Sequence, residues 1–241
     1  AWPSAWASAR PSPAGRWPGR PRALRSFTGT APMNGPLQLD ERCTAALQGL
    51  ALGPLDYLIL PGAKLFGWSG IGPVLGGVWL LSGSSGLYLA LLTLAMGQIA
   101  NRFLKVALQR KRPKPPAGVR RLVSVRIPGP DDPDGASFPS GDTMAGSAVG
   151  AALALSGFGA AWWMLGIYAG FARVYFWCHF LLDVLCGYLV GSGSALIVAS
   201  LSGGGSALRW WHVTLAIVPF VVIMKVLGKL QKAKHVASQQ G

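Results

Sequence analysis

The sequence has little charge, few acids and few cysteines. Only 12% of its 241 residues are Asp, Glu, Lys or Arg, which is about half of the fraction found in a typical soluble domain. Its three cysteines, Cys43, Cys178 and Cys186, have neither the pattern of a disulfide framework nor the spacing of a metal site. Because 51% of the chain is hydrophobic, these shortages indicate a protein that lies in a membrane.

The few charges are unevenly distributed. Eight acidic residues stand against 22 Lys and Arg, which gives a net charge of +14. The basic residues cluster near both ends of the chain and between Arg102 and Arg126, and long uncharged stretches separate the clusters. A basic protein often binds nucleic acid, but bases that flank apolar spans favour anionic lipid or a phosphorylated substrate. We therefore expect a lipid bilayer and a phosphorylated lipid as partners, and no nucleic acid.

The chain divides by composition into three segments. Residues 1–42 are expected to be a disordered or targeting segment, since residues 1–32 are rich in Arg, Ser and Pro and contain no acid, like a transit peptide. The alternative is that the residues before Met33 are a translated upstream region. A transmembrane domain is expected over residues 43–230, followed by a polar basic tail at 231–241.

Two long uncharged stretches predict four helices. Residues 65–101 are long enough for two spans with a turn at 82–86, because one span needs about 20 apolar residues. Residues 143–172 predict two shorter helices with a break at 156–159. The expected fold class is therefore all-α, an integral membrane helical bundle.

Further segments raise the expected number of transmembrane helices to about six. Residues 184–208 and 210–226 each predict one helix, and residues 43–60 predict a short interfacial helix or one more span. The Pro- and Arg-rich segment 110–137 is expected outside the bilayer. The basic tails lie on the same side as this loop, so the positive-inside rule predicts that this face is cytoplasmic, or stromal in a plastid. The endoplasmic reticulum or a plastid membrane is the expected location.

Two short blocks place polar residues beside these helices. Lys105 and Arg112 are seven residues apart, so both can extend from one helix end, where Arg offers a planar fork to phosphate oxygens and Lys a point charge. Ser140, Gly141 and Asp142 can begin a helix whose free N–H groups bind an anion. Each block also has an ordinary explanation, a basic membrane-flanking stripe for the first and a helix cap for the second.

A third block contains Arg173, His179 and Asp183. His179 and Asp183 are four residues apart, a spacing that places both on one face of a helix. A carboxylate that binds one imidazole nitrogen fixes the tautomer and leaves the other nitrogen as nucleophile or base. The alternative is a His–Asp pair that only holds two membrane helices together.

Taken in order, the blocks resemble the signature of the type 2 phosphatidic acid phosphatase (PAP2) and vanadium haloperoxidase superfamily. That signature is Lys-x6-Arg-Pro, then Pro-Ser-Gly-His, then Ser-Arg-x5-His-x3-Asp, and the similarity here runs from Lys105 to Asp183. The resemblance implies a PAP2-like helical core. It also implies a phosphatase that hydrolyses a lipid phosphate or an isoprenoid diphosphate without a metal or any other cofactor.

The resemblance further implies a role for each matched residue. His179 would attack phosphorus and form a phosphohistidine, and Asp183 would orient the imidazole. Asp142 stands where the family has the His that protonates the leaving group. The residues that would bind the phosphate are Lys105, Arg112, Ser140, Gly141 and Arg173.

Two positions depart from the signature, and one of them bears on the activity. Ala172 in place of Ser is a minor loss, whereas Asp142 in place of His is a poor proton donor beside fixed cations. Three explanations are open. The first is that Asp142 is neutral through burial and still acts as the acid, and the second is that the substrate is a diphosphate ester whose leaving group needs less protonation. The third is that the protein binds lipid phosphate without turnover. We favour the diphosphate, because the chain resembles the isoprenoid diphosphate phosphatase branch. The membrane spans disfavour a further alternative, a vanadate-dependent haloperoxidase.

Overall fold

The computed structural model describes residues 36–115, 121–129 and 135–202, and most of these residues are helical. Within these residues the α-helices are α1 (Pro36–Gln48), α2 (Asp56–Lys64), α3 (Ile71–Leu108), α4 (Gly141–Leu153), α5 (Met164–Tyr175) and α6 (Leu181–Leu201). A 3₁₀ turn at Gly53–Leu55 precedes α2. The all-α, membrane-embedded fold class predicted from the sequence is confirmed.

The described helices differ in whether they are long enough to cross a bilayer. Ile71–Leu108 and Leu181–Leu201 are long and apolar enough, and the pair Leu37–Gln48 and Gly53–Lys64, bent by 110°, gives a third span if it is counted as one. At 13 and 12 residues, α4 and α5 are shorter than the 20 or so residues of a complete span. The structure therefore contains fewer full-length spans among its described residues than the six predicted.

Several predictions on the chain ends lie outside the described residues. These are the N-terminal segment up to residue 35, the helix at 210–226 and the tail at 231–241. The boundary at residue 43 stays a prediction, although α1 already begins at Pro36.

The chain bends within α3 at Gly83. This residue has φ 65° and ψ −161°, a conformation that glycine adopts without strain. Ile71 and Leu75, before the bend, line the same cavity as Leu94, after it. A straight helix would separate Ile71 from Leu94 by about 35 Å, so α3 is not straight. The turn predicted at 82–86 is confirmed.

The break predicted at 156–159 is also confirmed. Gly157 and Gly159 have φ values of 93° and 96°, which end the helical path after α4. A π-helical turn at Ala154–Phe158 and a 3₁₀ turn at Ala160–Trp163 then connect α4 to α5.

Helix α4 lies at the centre of the bundle and packs against α3, α5 and α6. Its side chains are small and almost all buried. Helix α6 approaches the α4 backbone so closely that a Cβ atom at Gly187 would collide with the Ser140 carbonyl, and one at Gly191 with the Met144 carbonyl. Small residues at such contacts let membrane helices pack through their backbones, and this packing fixes the start of α4 against the start of α6.

Backbone hydrogen bonds then bring several segment ends together at one end of the bundle. The Ser140 N–H, at the start of α4, donates to the Asp183 carbonyl oxygen in the first turn of α6 at 2.9 Å. The Ser137 N–H donates to the Arg110 carbonyl oxygen, just after α3, at 2.7 Å. The residues of all three sequence blocks therefore meet at this end.

Candidate active site

A cavity of about 310 Å³ opens where these segments meet, and its wall changes character along α3. Leu91, Leu94 and Ala95 make the α3 wall apolar, and about two to three helical turns further on Asn101 and Lys105 make it polar. The polar end carries three cationic side chains of the predicted site and one imidazole. Such a cavity fits an amphiphile with an apolar chain and an anionic head.

Six of the eight site residues predicted from the sequence line this cavity: Lys105, Arg112, Gly141, Asp142, Arg173 and His179. The other two, Ser140 and Asp183, are fully buried beside it. Ser140 caps α4, as its sequence position indicated, and its hydroxyl oxygen lies 2.8 Å from the Thr143 hydroxyl. Because the Ser140 N–H and hydroxyl already have partners, its phosphate contact stays a prediction.

Arg112 holds the imidazole side of the cavity. Its Nη1 donates to the Cys178 carbonyl oxygen at 2.7 Å and lies 3.1 Å from His179 Nε2, and its Nε donates to the Gly135 carbonyl oxygen at 3.2 Å. A guanidinium can only donate, so His179 Nε2 accepts and Nδ1 carries the ring proton. The nitrogen with the lone pair therefore faces Arg112, and both residues line the cavity.

The expectation that Lys105 and Arg112 extend from one helix end is wrong for Arg112. Helix α3 ends at Leu108, and Gln109 adopts a left-handed conformation with φ 43° that closes the helix. Arg112 lies in the irregular segment that follows, from which it reaches His179. Lys105, in the last turn of α3, is 4% exposed and donates to the Ala136 carbonyl oxygen at 2.7 Å.

The third cation, Arg173, is paired with the residue that departs from the signature. Its Nη1 lies 2.9 Å from Asp142 Oδ2 and donates to the Ala63 carbonyl oxygen at 3.1 Å. Its buried Nε has no hydrogen-bond partner among the residues that the structure describes. A buried donor without a partner is costly, and an anion in the cavity would satisfy it.

His179 and Asp183 do not share a helical face, which corrects the spacing argument. His179 lies in the loop before α6, and α6 begins only at Leu181. Trp177, with φ 58°, turns the chain ahead of His179. His179 Nδ1 lies 3.6 Å from Asp183 Oδ2, beyond direct hydrogen-bond distance.

Ser137 fills the gap between these two side chains. Its hydroxyl donates to Asp183 Oδ2 and lies 3.4 Å from His179 Nδ1. The Phe180 N–H donates to the same carboxylate oxygen at 2.9 Å. Asp183 is thus held against the imidazole by both a side chain and the backbone.

The protonation of His179 follows from its surroundings. Burial lowers its pKa well below the ordinary value, and the nearby cations Arg112, Arg173 and Lys105 lower it further, while Asp183 acts in the opposite direction. The imidazole is therefore neutral near pH 7. A neutral imidazole whose Nε2 lone pair lies beside a phosphate-binding guanidinium is chemically suited to attack an electrophilic phosphorus that this guanidinium holds.

Three residues of this network had no signal in the sequence: Asp40, Arg110 and Ser137. Arg110 bridges Asp183 and Asp40 with Nη–Oδ distances of 2.8 and 2.6 Å. Asp40 is the first acid of the chain, which is the only feature that distinguishes it in the sequence. Ser137 lies three residues before Ser140, in a loop without periodicity.

Comparisons with known proteins agree with the signature. A family model described as PAP2 superfamily matches residues 86–205. A comparison with curated proteins found no match.

Two solved structures share the fold. The crystal structure of Aquifex aeolicus LpxE has a TM-score of 0.55 and 21% identity over 67% of this chain and 95% of its own. A PAP2 type phosphatidylglycerolphosphate phosphatase from Bacillus subtilis has a TM-score of 0.54 and 20% identity over 72% of this chain and 88% of its own. At these identities the likeness concerns the fold.

Proposed function

Since this chain is an integral membrane protein of the PAP2 superfamily, we propose that it hydrolyses the phosphate ester of a membrane lipid through His179. One observation carries the proposal. Lys105, Arg112, Arg173 and His179 come from different segments and line one cavity, with Arg112 Nη1 3.1 Å from His179 Nε2. The fold shared with the phosphatidylglycerolphosphate phosphatase from Bacillus subtilis supports the same class of reaction.

The proposed first step transfers the phosphoryl group to His179. The cationic side chains bind the phosphate oxygens and stabilise charge in the transition state. Nε2 attacks phosphorus, the N–P bond forms, and the bond from phosphorus to the leaving oxygen breaks. The imidazole, with its proton on Nδ1, becomes cationic, and the buried Asp183 stabilises that charge through Ser137 and across 3.6 Å.

In the proposed second step, water hydrolyses the phosphohistidine. Water attacks phosphorus, the N–P bond breaks, its electron pair returns to Nε2, and one proton of the water passes to another oxygen of the released phosphate. The fixed guanidinium and ammonium groups supply the electrostatic stabilisation in both steps, so the proposed mechanism routes no step through a metal.

The ion pair between Asp142 and Arg173 favours an isoprenoid diphosphate over a monoester. An ionised Asp142 cannot protonate an alkoxide, but a phosphate leaving group departs without that proton. Asp142→His is expected to raise turnover of prenyl monophosphate relative to prenyl diphosphate. Equal ratios in Asp142→His, Asp142→Asn and the parent protein would refute this role for the carboxylate.

The central test is a phosphate-release assay in EDTA with phosphatidate, sphingoid phosphates and prenyl mono- and diphosphates. Release by the parent protein that is lost in His179→Ala supports the proposal, as does an acid-labile, base-stable phosphoprotein trapped during turnover. His212→Ala, which changes a histidine that is not part of the signature, is the control. Binding of a lipid phosphate without release of inorganic phosphate would instead favour a second candidate function, a PAP2-like protein that binds lipid phosphate without turnover. The ion pair between Asp142 and Arg173 is the observation that supports this second candidate.

A further inference from the structure

Arg110 joins two carboxylates that are shielded from solvent. Its Nη1 contacts Asp183 Oδ1 at 2.8 Å and its Nη2 contacts Asp40 Oδ2 at 2.6 Å, while the two aspartate side chains are 0% and 1% exposed. The guanidinium also lies 4.0 Å from the centre of the Phe180 ring. Charge-assisted contacts of this kind fix both the position and the plane of a carboxylate.

Helix α1 also holds the beginning of α6. Asp40 Oδ1 accepts the Leu182 N–H at 2.8 Å, and Thr44 Oγ1 accepts the Leu181 N–H at 2.9 Å. The first N–H groups of a helix have no partner within it, so α1 supplies the partners that the first turn of α6 requires. Asp183 lies in that same turn, next to the loop that carries His179.

Both oxygens of the Asp183 carboxylate have hydrogen-bond donors. Arg110 holds Oδ1, and the Phe180 N–H and the Ser137 hydroxyl hold Oδ2. Neither Arg110 nor Asp40 lines the cavity. Because Asp40 neutralises Arg110, the pair adds no net charge beside the phosphate-binding cations.

We propose that Asp40 and Arg110 are positioning residues that act through Asp183 on His179. Helix α1, which lies outside the family match at residues 86–205, is then part of the catalytic unit. This inference rests on the proposed function. It differs from a merely structural role because it concerns the orientation of the nucleophile and leaves phosphate binding unchanged.

The test compares Asp40→Asn, Arg110→Gln and the double variant by kcat, KM and the inhibition constant of inorganic phosphate. The substrate is the one that the parent protein hydrolyses fastest. We expect kcat to fall about ten- to a hundredfold in each single variant, as for a small misplacement of reacting groups. KM and the phosphate inhibition constant stay within about twofold, since the cavity wall is unchanged. The double variant resembles Arg110→Gln alone, because residues that act in series are not additive.

Neighbouring residues provide matched controls. Glu41→Gln removes an exposed acid from the same helix, and Lys111→Gln removes an exposed base beside Arg110; both retain the parent kcat. Asp40→Asn retains an oxygen for the Leu182 N–H and removes only the contact with Arg110. If Arg110→Gln does not fold, Arg110→Lys, which cannot bind both carboxylates as a fork, is expected to show the same loss of kcat.

Two results would overturn the inference while leaving the proposed function intact. One is a kcat for Asp40→Asn equal to that of Glu41→Gln. The other is a fall in kcat accompanied by an equal weakening of phosphate inhibition, which indicates general loosening. Failure of the proposed function has a separate signature, because phosphate release would then be absent in the parent protein or retained in His179→Ala, and the inference would fall with it.

Discussion

Neutralising Asp142 should strengthen the binding of phosphate to this protein. Asp142 Oδ2 lies 2.9 Å from Arg173 Nη1, so the carboxylate is paired with a guanidinium that an anionic ligand would also bind. In Asp142→Asn the side chain keeps its shape and loses its charge. Arg173 retains its hydrogen bond to the Ala63 carbonyl oxygen at 3.1 Å, which keeps the guanidinium in place.

The size of the effect follows from the distance between two anions that share one guanidinium. They lie roughly 5 Å apart, which at an effective dielectric constant of about 20 corresponds to a repulsion of about 3 kcal/mol. The Asp142 side chain is 20% exposed, and solvent reduces that figure to about 1–2 kcal/mol. The phosphate inhibition constant should therefore fall by about five- to thirtyfold.

The assay is competitive inhibition of the hydrolysis reaction by inorganic phosphate, with equilibrium binding of radiolabelled phosphate as a measurement that does not need turnover. Glu41→Gln removes one negative charge from an exposed site on α1 and should leave the constant unchanged. The gain in phosphate affinity of Asp142→Asn should shrink as the salt concentration rises, because screening weakens the repulsion between Asp142 and phosphate in the parent protein. An unchanged or weaker affinity for phosphate in Asp142→Asn would refute the view that Asp142 competes with the ligand for Arg173.

Further predictions concern the nucleophile, the helix packing and the apolar end of the cavity. The pKa of His179 is lowered and the proposed nucleophile is its neutral form, so kcat/KM should keep its full value at pH 6.5 and fall only at more acid pH. A fall in kcat/KM that begins above pH 6.5 with two substrates of different phosphate pKa would contradict this. Gly191→Ala should lower the free energy of unfolding by about 1–3 kcal/mol, because the added Cβ meets the Met144 carbonyl. Gly193→Ala adds a Cβ that meets nothing within 4 Å, so this variant should be neutral or stabilising. Thermal unfolding in detergent measures both variants. Ala95→Trp should raise the KM for long-chain substrates and leave the KM for short-chain analogues unchanged. Equal effects on both KM values would show that the apolar chain of the substrate does not lie against Ala95.

The sequence predicted the all-α fold class and several of the residues that the structure brings to one cavity. Uncharged stretches marked the helices, and glycines marked the breaks at Gly83 and Gly157, because both signals are local. The three blocks identified residues that the structure brings to one cavity, since those residue types are costly beside a membrane without a function.

The loops between helices were not predictable in the same way. The spacing of His179 and Asp183 indicated one helical face, but α6 begins at Leu181, so a rule that holds within helices does not apply. Arg112 reaches the imidazole because the chain turns at Gln109 and returns over the site. The contact between Asp40 and Leu182 joins residues far apart in sequence, and no periodic pattern in the sequence predicts such a contact.

The graded wall of the cavity, apolar at Leu91 and charged at Lys105, has a kinetic consequence for an enzyme of this kind. In the proposed reaction the lipid product would return to the acyl phase and the phosphate would pass into water, so the two products would leave from different ends of the cavity. Turnover at the interface then depends on the mole fraction of substrate among the surrounding lipids and not on its bulk concentration. Diluting the substrate with inert phospholipid at constant total substrate should therefore slow the reaction.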